Sequence, residues 1–164
     1  MRQLIALLWF VWTGCMVFGG DPEPITLERG QVWCVAQPDD GKLFWITYNM
    51  SGLGTAEEIR KVLLTYSSDV VIDRGSVETL LKTAKSVNAR YLLIPDINYW
   101  ERISIWSFRS SSVSLNVTIY DVQTGNILIS EKMVSRQKGR FNISHPQDLL
   151  QVMIKNFIDG FYWN

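Results

Sequence analysis

Polar and apolar residues alternate most regularly between Ser112 and Tyr120. The apolar members of this segment are Val113, Leu115, Val117 and Ile119. A period of two with β-branched side chains predicts a strand that has one face on a core and the other toward water. Gly125 and Asn126 tolerate positive φ and predict a reversal into a partner strand over residues 127–132. Together with an apolar run that starts at Tyr91, the pattern predicts three consecutive antiparallel strands over residues 91–132.

The preceding residues predict a β-α-β-α-β order. Apolar runs at residues 31–36 and 69–73 are typical of buried strands. Thr55 and Glu58 have capping-box spacing and predict a helix over residues 55–66. Ser76 predicts the start of a second helix, whose apolar positions recur at helical spacing.

The last segment predicts a C-terminal helix that packs on the sheet. Ser144 and Gln147 have capping-box spacing, with Pro146 in the first turn. An apolar stripe follows at Leu150, Met153, Ile154, Phe157 and Phe161. The fold class is therefore α/β: a mixed sheet of about five strands, the last three forming an antiparallel meander, with three helices packed on it. Residues 31–164 form one domain.

The N-terminus has the pattern of an export signal. Arg2 precedes an apolar run at residues 4–11, which is too short for a membrane span. Small residues directly before Cys15 resemble the lipobox of bacterial lipoproteins, although Trp12 stands where that motif has an aliphatic residue. We predict a signal peptide over residues 1–14, a lipid on Cys15, and a Gly- and Pro-rich tether over residues 15–30. Cleavage between Gly19 and Gly20 is the alternative.

Charge and cysteine content exclude several classes of function. Sixteen basic residues balance sixteen acidic ones, so the chain lacks the basic excess of nucleic-acid-binding proteins and we expect no nucleic-acid partner. Of the two cysteines, Cys34 lies in an apolar run and is expected to be a buried small side chain. No cysteine pair has zinc spacing, and we expect no cofactor or metal.

Carboxylates and a single histidine are the candidates for catalysis. His145 is the only histidine, and its position at a predicted helix start favours a structural role. A periplasmic hydrolase that uses Asp96, Glu101 or His145 is one alternative function. Because no constellation of catalytic residues is visible, we predict that the chain is not an enzyme.

Gly52, Gly54 and Thr55 precede a predicted helix start, where backbone amides can hold a phosphate. A flexible lead into the helix explains the same residues. A small-ligand sensor is therefore a second alternative function.

The stretch from Tyr99 to Arg109 mixes aromatic side chains with two arginines, the residue types that dominate protein interfaces. We predict that it connects the first two strands of the meander. The simpler interpretation is that its aromatic residues cover one end of the core. Its candidate partner-binding residues are Trp100, Glu101, Arg102, Trp106, Phe108 and Arg109.

Several of these segments together resemble a known family. They are residues 89–95, Trp100-Glu101, Trp106, residues 120–125 and residues 145–150. The combination is similar to an uncharacterised lipoprotein family of Gram-negative bacteria, classified as a domain of unknown function. A wider similarity is to envelope lipoproteins whose α/β domain is like the one at the N-terminus of TolB, among them the curli secretion lipoprotein and activators of penicillin-binding proteins. The resemblance implies contacts with other envelope proteins and no particular activity.

We therefore predict a cell-envelope lipoprotein that acts as a membrane-tethered protein-interaction module. Its predicted partners are the membrane, through the lipid on Cys15, and another envelope protein. Met16 is not the aspartate that retains lipoproteins at the inner membrane. The expected location is the outer membrane, facing the periplasm.

Overall fold

The computed structural model describes residues 25–101, 111–137 and 145–162. Its strands are β1 (Val32–Ala36), β2 (Lys42–Leu43), β3 (Ile46–Thr47), β4 (Asp69–Asp73), β5 (Tyr91–Glu101), β6 (Ser112–Asp121) and β7 (Ile127–Arg136). Its helices are α1 (Ser51–Leu63), α2 (Val77–Ser86) and α3 (Pro146–Asp159). Five strands form one mixed sheet in the order β4-β1-β5-β6-β7, while β2 and β3 form a separate hairpin. The predicted α/β class, with its mixed sheet and three helices, is confirmed.

The sheet is parallel on one side and antiparallel on the other. Strand β1 pairs in parallel with both β4 and β5. Strands β5, β6 and β7 form the predicted antiparallel meander. Gly125 takes a positive φ of 74° between β6 and β7, as the turn requires.

Two apolar clusters lie on opposite faces of the sheet. The alternating apolar residues of β6 pack with residues of α1 and α3 in the larger cluster. On the other face, Leu80 and Ala84 of α2 pack against Cys34 and Leu92. Full burial of one large aliphatic side chain contributes about 1.5–3 kcal/mol, so both clusters stabilise the sheet.

Helix α1 begins earlier than the sequence predicts. The helix starts at Ser51, after Met50 in the left-handed region, and the predicted start at Thr55 is wrong. Thr55 does not cap the helix, because its hydroxyl donates to the carbonyl of Ser51 at 2.8 Å.

The other two helix starts follow local signals. The predicted cap of α2 is confirmed, since Ser76 accepts a hydrogen bond from the amide of Thr79 at 3.3 Å. Helix α3 is capped at His145, one residue later than predicted, and the amide of His145 donates to Asp148 at 2.9 Å. Ser144 lies outside the described residues.

Strand β5 is longer than predicted. It continues to Glu101 and bulges between Ile97 and Tyr99. Tyr99, Trp100 and Glu101 are therefore strand residues, and the prediction that they belong to a connection is wrong.

The described chain begins at one end of the domain. Leu27 is 4% exposed within the larger cluster, and its amide donates to the carbonyl of Phe161 at 3.2 Å. The folded part thus begins before Gln31, where the sequence places the boundary. Among the described residues, no helix is long and apolar enough to cross a bilayer.

Candidate interaction surface

Among the described residues, one face of the sheet is only partly covered by a helix. Helix α2 packs over β1 and β5 on that face. Beyond α2, the far half of β5 together with β6 and β7 forms an open cavity of about 690 Å³, here called the sheet trough. Its lining includes Tyr99, Glu101, Ser114, Lys132 and Arg136.

The β5 bulge turns two consecutive side chains into this trough. After the shift between Ile97 and Tyr99, Tyr99 pairs with Ser114. Asn98 and Tyr99 both line the trough, although neighbouring strand residues normally point to opposite faces. The hydroxyl of Tyr99 donates a hydrogen bond to Glu101 at 2.5 Å.

Charges of both signs face the trough. Glu101 is only 8% exposed, whereas Lys132 and Arg136 are exposed on the edge strand β7. Ser114 is buried, and its hydroxyl has no hydrogen-bond partner among the described residues. The trough therefore presents two exposed cations beside a buried carboxylate.

The structure places two of the predicted interaction residues, Trp100 and Glu101, in different environments. Trp100 is 3% exposed and belongs to the larger apolar cluster, so its side chain completes the core and does not face a partner. Glu101 lines the trough. The remaining candidates lie outside the described residues: Arg102, Trp106, Phe108 and Arg109.

The three predicted hydrolase residues do not converge. Asp96 lines a second cavity of about 460 Å³ on the trough face, and Glu101 lines the trough itself. His145 lies near Tyr48 and Trp100, at the start of α3 on the opposite face of the sheet. Within the described ranges, no three His, Cys, Asp or Glu side chains are placed to hold a metal ion. The hydrolase stays a prediction without geometric support.

The glycines of the predicted phosphate site have a different environment from the one expected. Gly52 and Gly54 lie inside α1, and Thr55 is buried. The amide of Gly52 already donates to the carboxylate of Asp40 at 2.8 Å. A carboxylate at this position repels an anion, so the geometry does not favour the sensor, which stays a prediction.

Cys34 is a core residue, as predicted. It is completely buried in the cluster beneath α2. Burial, together with the negative charge of Asp73, raises the pKa of the Cys34 thiol to about 11. Cys15, the predicted lipid site, lies outside the described residues.

The β2-β3 hairpin lies in the long predicted loop of residues 37–54. The length of this loop predicts that it is functional or partly strand-like, with local pairing of Leu43, Trp45 and Thr47. The structure pairs Leu43 with Ile46 and Lys42 with Thr47. Phe44 and Trp45 form the tip, where they are 77% and 89% exposed.

The fold resembles several solved structures at low sequence identity. PelC from Paraburkholderia phytofirmans, described as a dodecamer, aligns with a TM-score of 0.69 and 18% identity, covering 85% of this chain and 92% of that chain. The hypothetical protein CT253 from Chlamydia trachomatis aligns with a TM-score of 0.55 and 12% identity, covering 79% and 94%. The lipoprotein GNA1162 from Neisseria meningitidis aligns with a TM-score of 0.49 and 13% identity, covering 79% and 96%. The likeness to PelC and CT253 shows a shared fold.

Sequence comparison identifies the family. No protein with a curated description matches the chain. A family model described as a domain of unknown function, DUF4823, matches residues 25–161, which is well over half of the chain. The predicted resemblance to a family of this kind is confirmed. The chain belongs to the DUF4823 family.

Proposed function

We propose that the protein is a membrane-tethered interaction module of the cell envelope that binds another envelope protein. The observation that carries this proposal is the sheet trough. It bears charges of both signs, with exposed Lys132 and Arg136 at its edge, and it is lined by Glu101, from which the chain continues into residues 102–109. A polar groove that is followed in sequence by residues rich in aromatic side chains and arginine is suited to a protein partner.

The N-terminal sequence supports the tether. The signal pattern and Cys15 predict lipid attachment, and ten residues lead from Cys15 to Ile25, where the described chain begins. A lipid-bearing cysteine attaches the domain to a membrane by about 0.8 kcal/mol per buried methylene group.

Crosslinking in living cells tests the proposal. A photoreactive amino acid at Ser104 or Ser107 samples the segment that follows Glu101 in the sequence, and the same group at Ile127 is the matched control. Ile127 is exposed and opens β7 at the turn that follows β6. We expect a defined adduct with one other envelope protein from positions 104 and 107, and none from position 127.

Two results would contradict the proposal. Adducts of equal yield from all three positions would indicate random collision. Complete absence of adducts from positions 104 and 107, with the protein present at normal levels in the envelope, would remove the interaction function.

A further inference from the structure

The backbone at the tip of the β2-β3 hairpin adopts a conformation that is unfavourable for Phe44. Phe44 has a φ of 53°, in the left-handed region that glycine or asparagine usually occupies. Phe44 and Trp45 contact each other, with ring centroids 5.9 Å apart, and both remain largely exposed to solvent. Ile46 and Met50, on either side of Tyr48, are also exposed. Packing within the described residues does not account for this aromatic pair.

The base of the hairpin is held firmly by the domain. The amide of Gly41 donates to the hydroxyl of Ser51 at 2.7 Å, and the amide of Tyr48 donates to the carbonyl of Gly41 at 2.9 Å. The carboxylate of Asp40 accepts hydrogen bonds from the amides of Met50 and Gly52. The tip is therefore presented in a defined position, which lowers the entropy cost of binding.

The chain enters the domain at the end opposite to this tip. The amide of Glu28 donates to the hydroxyl of Tyr91, at the start of β5, while Gly41 packs against Trp100, near the end of that strand. Strand β5 has 11 residues and spans about 35 Å. In a chain anchored at Cys15, the tip therefore lies at the end of the domain farther from the attachment point.

The length of the tether is relevant to this orientation. Ten residues from Cys15 to Ile25 reach at most about 35 Å when fully extended. When β5 is perpendicular to the membrane, the tip lies about 35 Å beyond the point where the chain enters the domain. Contact between the tip and the same bilayer would require the domain to lie on its side.

We propose that Phe44 and Trp45 form the anchor of the partner-binding surface and insert into an apolar pocket of another envelope protein. This inference rests on the proposed function and names the chemistry of its partner. Each aromatic side chain buries about 150–250 Å² when it is enclosed, and aromatic anchors dominate the energetics of protein interfaces. The charged trough and the uncharged tip then offer the partner two different kinds of contact.

The test uses the full-length chain in its membrane. A photoreactive phenylalanine analogue at position 44 retains an aromatic tip and leaves Trp45 in place. We expect an adduct with one other envelope protein. Affinity for that protein is then compared among wild type, W45Q, F44N and the control I127T, which removes an exposed apolar side chain elsewhere. We expect W45Q and F44N to weaken binding about tenfold or more, with I127T unchanged.

An effect of these variants on folding must be distinguished from an effect on binding. Because both tip residues are exposed, W45Q should melt at the wild-type temperature. F44N should melt at that temperature or above it, since Asn suits the positive φ at position 44. A melting temperature that is not lowered, together with weakened binding, supports the inference. Partner binding that is unchanged by W45Q overturns it.

Other occupants of the tip give other results, and each overturns the inference. An adduct with twice the mass of the chain indicates a second copy. Sedimentation of the unacylated C15S chain with phosphatidylethanolamine and phosphatidylglycerol vesicles, lost in W45Q, indicates the bilayer. If adducts form from position 107 but not from position 44, the proposed function stands and this inference is wrong. If adducts form from neither position, both the proposed function and this inference are wrong.

Discussion

Gly41 lies so close to Trp100 that a Cβ atom on Gly41 would be 2.7 Å from the Cβ atom of Trp100. It would also lie 2.9 Å from a methyl carbon of Ile97. The base of the hairpin and the far half of β5 thus form one packed unit. This contact fixes the position of the exposed tip relative to the sheet trough.

The close approach predicts that G41A is destabilising. A methyl group must displace Trp100 or Ile97, and overpacking of this kind costs about 1–3 kcal/mol. Urea denaturation measures the free energy of unfolding. G54A is the matched control, because the nearest atom to its new methyl group is the Gln147 side-chain amide at 3.9 Å. It should be neutral or slightly stabilising, since alanine favours a helix. Equal stabilities of G41A and G54A would show that the contact is not tight.

Substitution of Gly52 tests the close contact at the start of α1. A Cβ atom on Gly52 would lie 2.2 Å from the carbonyl oxygen of Pro38. G52A should therefore lower the free energy of unfolding by at least about 1–3 kcal/mol. D40N retains an oxygen that accepts from the Gly52 amide and should cost less. A wild-type free energy of unfolding for G52A would contradict the close approach, and a rise in the melting temperature with added phosphate would favour the ligand site.

The ion pair between Arg90 and Asp121 predicts a pH dependence of stability. Asp121 lies 2.9 Å from Arg90 and accepts hydrogen bonds from the amides of Gln123 and Thr124. The Thr124 amide, followed by Arg90 and the Gln123 amide, holds the pKa of Asp121 below its usual value. Because the pKa is lower in the folded state, Asp121 adds stability above its unfolded pKa of about 3.9. That stability is lost as the pH falls through the folded pKa.

The variant D121N removes this charge and retains an oxygen that accepts from the turn amides. We expect a loss of about 1–3 kcal/mol at pH 7, and a difference from wild type that shrinks as the pH falls below about 4. E131Q, at an exposed position of β7, controls for the loss of one negative charge. A difference between D121N and wild type that is constant from pH 7 to pH 3 would contradict this account.

The burial of Cys34 predicts an unreactive thiol. Its pKa of about 11 leaves almost no thiolate at pH 8. In a C15S chain, Cys34 is the only cysteine that remains. A colorimetric thiol reagent should give no signal with the folded protein and one equivalent after denaturation in urea. Rapid labelling of the folded protein at pH 8 would show that the cluster beneath α2 opens readily.

The sequence predicts elements best where the signal is local. The alternation in β6 and the Ser76 cap of α2 both depend on neighbouring residues, and both are confirmed. The start of α1 is different, because a capping-box pattern at Thr55 points to the wrong residue. Asp40, eleven residues before the observed start at Ser51, binds the amides of Met50 and Gly52. No local pattern reveals this distant contact.

The candidate surface was harder to predict than the fold. Trp100 belongs to a stretch with the composition of an interface, yet the continuation of β5 buries it in the core. Lys132 and Arg136 enter the trough only because β7 extends to Arg136. The exposure of Trp45 depends on the pairing of β2 with β3. Each outcome depends on pairing between strands, which composition alone does not reveal.

The intact mass of the mature protein, extracted from membranes, tests the central claim most directly. A membrane-tethered module requires a chain that begins at Cys15 and carries the added mass of acyl chains. The C15S variant should then lose the added mass and leave the membrane fraction. A mature chain that begins at Gly20, unmodified and free in the periplasm, would contradict the tether and the orientation of the aromatic tip that depends on it.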